Sequence, residues 1–428
     1  METYTSISSC ISFTIRILCI QIIKEVYILR LEKNEKLLIF GRWTSKIGDS
    51  IFDYVNSIII VTKFSKSSLI LALYQSSQTI VNIMFNLIGG AIADSGNKKK
   101  IIIIADLLSS IVCFTISFFI NSSFVATILI IANAILALIF SFSSPTFKSI
   151  VREMVKKDRI SLYNSVSNIG KEIIYLIGPV IGLFLIDTVG ARGALLINAL
   201  TFLFSAISEC CLVKINTEKK QKSKTKNILR DIKEGIRYLI ENKNIFYLLI
   251  LSALVNLFLS GYNLLLPYTN VIYGDIFSGF YAKSMVFQAI GALIGSFLNT
   301  KISTKFTGSI KVLIIFLGLV GCSIGIVPLI TFTKNIVICL TPFLFFGLTL
   351  TIYNINFMSY VQINVDEEYL GRVFSVIFTI SVLFMPIGSI LFSLLNITSS
   401  IGGFGLIGLG VLVLSLVAMI FIKVENKC

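Results

Sequence analysis

The chain has 428 residues, 55% of them hydrophobic and only 14% charged, with 37 Lys+Arg against 22 Asp+Glu, a net charge of +15 and no histidine. A mean hydropathy of +0.90 and so few charges set it apart from soluble domains, which carry roughly a quarter charged residues, and from disordered, collagen-like or disulfide-scaffold chains. The missing histidine excludes His-based triads, His metal ligands and imidazole proton relays.

What remains is an all-α integral membrane protein. A helix crosses a bilayer with about 20 mostly apolar residues, and twelve runs have that character. The first 36 residues precede them: Ile11–Leu31 is apolar but carries Arg16, Lys24, Glu25 and Arg30, and is read as an interfacial segment or as a start placed too far upstream. An N-terminal group of six spans over 37–213 follows: Leu37–Thr62, Leu69–Ala93, Ile101–Ile120, Phe124–Phe147, Leu162–Ile186 and Gly193–Val213. A basic linker occupies 214–244. A C-terminal group over 245–428 holds Ile245–Tyr268, Phe277–Leu298, Val312–Phe332, Ile336–Tyr360, Arg372–Leu395 and Gly402–Ile422. Runs such as Ile101–Ile104 do not alternate as barrel strands do.

The basic residues give an orientation. Lys98–Lys100, Lys148, Arg152, Lys156, Lys157, Arg159, the linker lysines and Lys301, Lys305 and Lys311 fall on one side, with little beyond Lys63, Lys66, Arg192 and Lys334 on the other. By the positive-inside rule both termini lie in the cytoplasm of a bacterial plasma membrane. The net charge is thereby a topology signal and implies no nucleic-acid partner. Eight cysteines, among them Cys113, Cys210, Cys211 and Cys339, form no C-x-x-C and behave as small hydrophobes; no metal site and no cofactor is expected.

The six-and-six division carries an internal repeat. Val151–Asp158 leads to Asn164-Ser165-Val166 and then Gly178-Pro179; about 210 residues later Val361–Glu368 leads to Phe374-Ser375-Val376 and then Pro386-Ile387-Gly388. Two parallel six-span halves, with substrate bound between them, are a transporter architecture. Gly178, Pro179, Gly182, Pro386 and Gly388 are candidate hinge or packing positions, because Pro deletes a backbone donor and small residues permit close approach.

Gly90-Ala91-Ile92-Ala93-Asp94-Ser95-Gly96-Asn97-Lys98-Lys99 resembles the signature loop of the major facilitator superfamily, G-x-x-x-D-R-x-G-R/K-R/K. Ser95 replaces the usual Arg, and Asn97 replaces the second Gly as a residue able to accept a left-handed turn. The resemblance implies a cytoplasmic gate of Gly90, Asp94, Lys98 and Lys99, with Arg372 in Gly371–Ser375 as the partner of Asp94. The equivalent loop of the second half has Asn299 where an Asp is expected. Gly48-Asp49, Asp106, Pro145, Asn164-Ser165 and Gly178-Pro179-x-x-Gly182 resemble the macrolide-efflux and enterobactin-exporter branch of bacterial drug–proton antiporters; the span-5 motif lacks two of its glycines, at Ile174 and Leu183.

Charges inside a span mark pathways or buried pairs. Arg42, Lys46, Asp49 and Asp53 share one face of span 1. Asp49 and Asp53 are proton-coupling candidates, against structural pairing with Lys46 or Lys171. Glu172 is a third, weighted toward a gate salt bridge; Asp106, Asp187 and Glu209 are read as interfacial or structural. Gln75, Gln78, Asn82, Asn256, Asn263 and Gln288 are candidate cavity amides, with Trp43, Tyr54, Tyr262 and Tyr353 as aromatic company, although interhelical hydrogen bonding accounts for most such amides. With few midplane cations, phosphorylated substrates are disfavoured.

The expected function is that of a monomeric secondary transporter in the lipid bilayer, exporting amphipathic, macrolide-like small molecules at the expense of the proton gradient. A siderophore exporter or uptake permease is the same-fold alternative, and a membrane receptor or enzyme the alternative of another class. No Gly-x-x-x-x-Gly-Lys-Ser/Thr is present, so ATP-driven pumping is not expected.

Overall fold

The computed structural model describes residues 31–95, 97–213, 236–273, 276–306, 309–330, 333, 335–397 and 400–421. The predicted interfacial segment and most of the basic linker lie outside them. Every described regular element is helical: α1 Lys33–Lys63, α2 Ser68–Ser95, α3 Lys98–Phe119, α4 Val125–Met154, α5 Ile160–Cys210, α6 Lys243–Leu265, α7 Thr269–Ile272, α8 Phe280–Phe306, α9 Ile310–Gly325, α10 Val327–Ile330, α11 Ile336–Asn364, α12 Glu367–Leu394 and α13 Gly402–Phe421, with 3-10 turns at Lys157–Arg159 and Leu266–Tyr268.

Among the described residues, eight helices are long and apolar enough to cross a membrane. One of them accounts for two spans. The 51 residues of α5 would extend about 76 Å as one rod, far beyond a hydrocarbon core of about 30 Å. Gly190, at φ 70° and ψ 174°, breaks the rod where only glycine is at ease. The packing of α1 gives the direction of each limb. Trp43, Ser50 and Tyr54 meet Gly170, Gly178 and Gly182 in ascending order, whereas Gly41 meets Ser205 and Glu209, and Gly48 meets Asn198 and Thr201. The first limb therefore runs parallel to α1 and the second antiparallel, so the chain reverses at Gly190. With α1, α2 and α12 of comparable length, each of the twelve predicted spans has its helix.

Local chemistry sets several helix ends. Asn97 is extended (φ −79°) and its side chain accepts from the Lys100 N–H, so it caps α3. The left-handed turn expected of Asn97 is not adopted, because its amide oxygen is better used on an orphan helix donor. Asn335 caps α11 in the same way, accepting from Val337 and Ile338.

In the first group α1 and α3 pack on α5, and α4 on α2 and α3; in the second α8 and α9 pack on α11, α13 on α9, and α6 on α12 and α13. Serine hydroxyls bind across these seams, from Ser205 to the Gly41 carbonyl (2.9 Å), Ser208 to Leu37 (2.6 Å) and Ser110 to Ala199 (2.7 Å). Where backbones touch, glycine is required: a Cβ on Gly291 would strike the Leu344 carbonyl, and one on Gly408 would strike the Gly325 backbone. The outward surface is apolar, as on α3, where Ile111, Phe114 and Phe118 form an exposed stripe fit for lipid.

The two groups meet through α2 with α12 and α5 with α8. Tyr54 stacks on Tyr281 at 4.9 Å, Ser68 donates to the Ser393 carbonyl and Gln75 to the Asn263 carbonyl, and Gly279 packs on Leu183. All of these lie toward the end of the bundle remote from Lys98–Lys100.

Candidate functional site

The charged face of α1 is the natural starting point, since four ionisable residues on one membrane helix must each find company. Arg42 lies over the Phe147 ring (5.0 Å) and Lys46 over Phe140 (4.7 Å), both on α4. Lys46 also forms a 2.6 Å ion pair with Asp49. These residues line a small polar cleft with Ser45, Asp106, Ser109 and Ser143, closed by Phe140, Phe147 and Phe202, with about 40 Å³ of room, enough for a few water molecules.

Asp53, one turn beyond Asp49, is exposed, yet it does not face lipid. Tyr74 of α2, Tyr175 of α5 and Tyr281 of α8 all lie within its electrostatic reach, as do Asp49 and Lys46. A group surrounded by four helices and still accessible faces a space between them. That space is shared with Tyr175, 57% exposed, and through Tyr175 with Glu172 and Tyr262.

Glu172 and Lys171 are both exposed on the first limb of α5. Of the amides, Gln75 bridges to Asn263, Gln78 is exposed, Asn82 accepts from Ser141 of α4 (3.2 Å), and Asn256 donates to Ser252 in its own helix. Gln288 accepts from the Tyr262 hydroxyl at 2.9 Å. Trp43 packs on Gly170; Tyr353 is buried against Phe357.

Asp106 and Glu209 are buried, at 5% and 0% exposure. Both lie inside the first group, where α1, α3 and the second limb of α5 meet.

At the basic end, Lys98 pairs with Glu153 of α4 (2.9 Å), and Lys99 donates to the Cys210 and Leu212 carbonyls (2.8 Å each), capping α5. The surroundings of Gly90 and the side chains of Asp94 and Arg372 lie outside the described residues, and with them the Asp94–Arg372 pair. The Asn299 that stands in for an Asp accepts from Asn356 of α11 (2.7 Å), a buried amide pair in place of an ion pair.

The first turn of α1 is clasped to the loop after α4. Arg159 grips Glu35 through Nε (2.7 Å) and Nη2 (2.9 Å), Lys156 pairs with Glu32 (2.7 Å), and Asn34 donates to the Met154 carbonyl (3.0 Å). Burial alone would raise the Glu35 carboxyl, but the hydrogen bonds from Arg159 and the Glu32 N–H, with the charges of Arg159 and Lys156, hold it below the usual carboxylate range.

The hinge candidates sit at close contacts. A Cβ on Gly178 would collide with Ser50, one on Gly182 with Tyr54, and one on Gly388 with Ser260 and the Leu257 carbonyl. Pro179 and Pro386 lie within α5 and α12, each leaving a carbonyl one turn back without its helical donor.

Tyr175, Tyr281 and the Asp106–Glu209 neighbourhood escaped sequence reasoning. Tyr175 stands three residues after Glu172 on the same helix, a spacing that could have flagged it. Nothing local links Asp106 to Glu209. Among the described residues no group of three or more His, Cys, Asp or Glu is placed to hold a metal ion.

Residues 38–389 match the family model of the Major Facilitator Superfamily. Macrolide efflux protein A of Streptococcus pyogenes is 23% identical over 373 residues, covering 84% of this chain and 90% of that protein. The MFS-type transporter YkuC of Bacillus subtilis is 25% identical over 286 residues, covering 64% of this chain and 65% of that relative, just under two thirds of its length. The crystal structure of the nucleoside transporter NupG superposes with a TM-score of 0.72 at 15% identity, covering 92% of this chain and all of that one.

Proposed function

The chain belongs to the major facilitator superfamily, and we propose that it is a proton-coupled exporter of amphipathic small molecules, macrolide-like compounds among them. The observation that carries this reading is Asp53: an accessible carboxyl one turn from the Lys46–Asp49 pair, facing the space between the two groups of helices. A carboxyl there binds a proton when the space communicates with the acidic side and releases it on the other. Asp49 has Lys46 as a standing partner, and a proton on Asp49 frees the Lys46 ammonium. Two linked carboxyls of this kind let proton binding and substrate release compete for the same space.

The substrate class follows from the walls. Tyr175 offers an exposed ring face and Gln78 an exposed amide, with the part-buried Gln288 held by Tyr262, while the nearby cation Lys46 is already neutralised by Asp49. Such walls suit a large molecule with apolar faces and scattered polar groups better than a phosphate. The kinship with proteins named macrolide efflux protein A supports the same choice.

On this reading the basic end lies in the cytoplasm. The Tyr54–Tyr281 stack and the Gln75–Asn263 and Ser68–Ser393 hydrogen bonds then hold the extracellular end together. Transport then requires these contacts to break as the halves rock. The test is accumulation of a macrolide and of amphipathic dyes in cells with and without the protein, each with and without a protonophore. Lower accumulation that the protonophore abolishes is expected; equal accumulation across the panel would overturn the proposal.

A further inference from the structure

The carboxyls of Asp106 and Glu209 are deeply buried in the first group, at 5% and 0% exposure. Asp106 accepts from the Ser45 hydroxyl of α1 at 2.8 Å. Ser205 lies beside both carboxyls, but its hydroxyl proton goes to the Gly41 carbonyl (2.9 Å). Neither oxygen of Glu209 therefore receives a hydrogen bond among the described residues.

Two ionised carboxyls at such depth would each need a cation or several donors. Among the described residues, the charged and titratable groups facing them are few. Arg42 of α1 lies within reach of both, but it is a single positive charge and its guanidinium also covers Phe147. Asp49 of α1 adds negative potential at Asp106, and Tyr163 of the first limb of α5 faces Glu209. Lys99 of α3 spends its donors on the Cys210 and Leu212 carbonyls. α4 presents Phe147 to this corner. Among the described residues, one positive charge against two buried carboxyls leaves one carboxyl to be neutralised, and a proton does this with no further ligand.

We propose that Asp106 and Glu209 share one proton and form a second protonatable site of this protein, placed about two turns of α1 from Asp49 toward the basic end. Asp106 lines the same water-sized cleft as Asp49, so the two sites communicate through a path a few waters long. Glu209 is the closed end of that path. The first group then carries a line of carboxyls, Asp53, Asp49, Asp106 and Glu209, descending from the space between the groups toward the basic end. The proposal deepens the proton-coupled reading, but the occupancy of the site is a property of the resting protein.

The test is infrared difference spectroscopy on the purified full-length protein, with no substrate and no gradient, comparing wild type with Glu209→Gln and Asp106→Asn. The expected result is a protonated-carboxyl C=O band in wild type, shifted in D2O, that is lost in Glu209→Gln or Asp106→Asn, with thermal unfolding no earlier than wild type, since each variant leaves one carboxylate opposite Arg42 and puts a neutral amide in place of the other. A band unchanged in both variants would overturn the proposal. Should neither variant be recovered folded, the wild-type protein decides through its own titration. A band that fades reversibly toward alkaline pH in the Asp49→Asn/Asp53→Asn background supports the shared proton, and absence of any band in that background sinks it. Failure of proton-driven transport would leave this band in place, so the two readings fail separately.

Discussion

Lys46 holds Asp49 in a 2.6 Å ion pair across less than one turn of α1, while Asp53, one turn further on, stands exposed to the space between the two groups of helices. Neutralising the two carboxyls should therefore have different consequences. Asp53→Asn should cut proton-driven transport by about tenfold or more, ~1.4 kcal/mol of barrier, with expression unchanged. Asp49→Asn should in addition destabilise the protein, because it strands the Lys46 ammonium in a partly buried cleft. Transport rates and melting temperatures of the two variants, measured side by side, separate these effects.

Gly178 touches Ser50, and a methyl group there has nowhere to go. Gly178→Ala should cost about 1–3 kcal/mol of packing strain and slow transport more than it lowers the amount inserted. Adding Ser50→Gly should restore much of the rate, as expected of a pair in direct contact. A double variant no better than the single one would place the effect elsewhere.

The Arg159 grip on Glu35 has a defined pH signature. The Glu35 carboxyl is held below its ordinary value of 4.5, so its stabilising contribution is fully present above that value and is lost as pH falls through the lowered one. Glu35→Gln should lower stability by about 1.5–3 kcal/mol at neutral pH, the usual worth of a charged hydrogen bond. The gap to wild type should close in acid, and melting curves at the two pH values measure it.

Backbone contact between α9 and α13 makes a sharper contrast. A side chain at Gly408 would enter the Gly325 and Gly321 backbones, whereas one at Gly405 would meet only the edge of Pro328 at 3.4 Å. Gly408→Val should cost roughly 1–3 kcal/mol or more and reduce the folded yield; Gly405→Val should be nearly silent. Size-exclusion profiles of the two variants provide the comparison.

Much of this architecture is legible in the sequence because a bilayer leaves so little choice. Each crossing must be apolar for about 20 residues, and the break between Ile186 and Gly193 is where Gly190 reverses α5. The spacing of Arg42, Lys46 and Asp49 likewise put them on one face of a helix, and all three line one cleft. What escaped depends on which helices pack together. Asp106 and Glu209 become neighbours only because α3 and the second limb of α5 close on α1, and Tyr281 reaches Asp53 from the other group. Asn97 was misread because composition shows that a residue tolerates a left-handed turn, not that a free N–H at the start of α3 offers it something better.

The central claim, that carboxyls of α1 couple protons to substrate movement, is tested most directly in proteoliposomes carrying the purified protein, an imposed pH gradient and a labelled macrolide. Gradient-driven macrolide movement is predicted for the wild type. In Asp49→Asn/Asp53→Asn it should be replaced by exchange that ignores the gradient. Undiminished gradient-driven movement in that double variant would contradict the account.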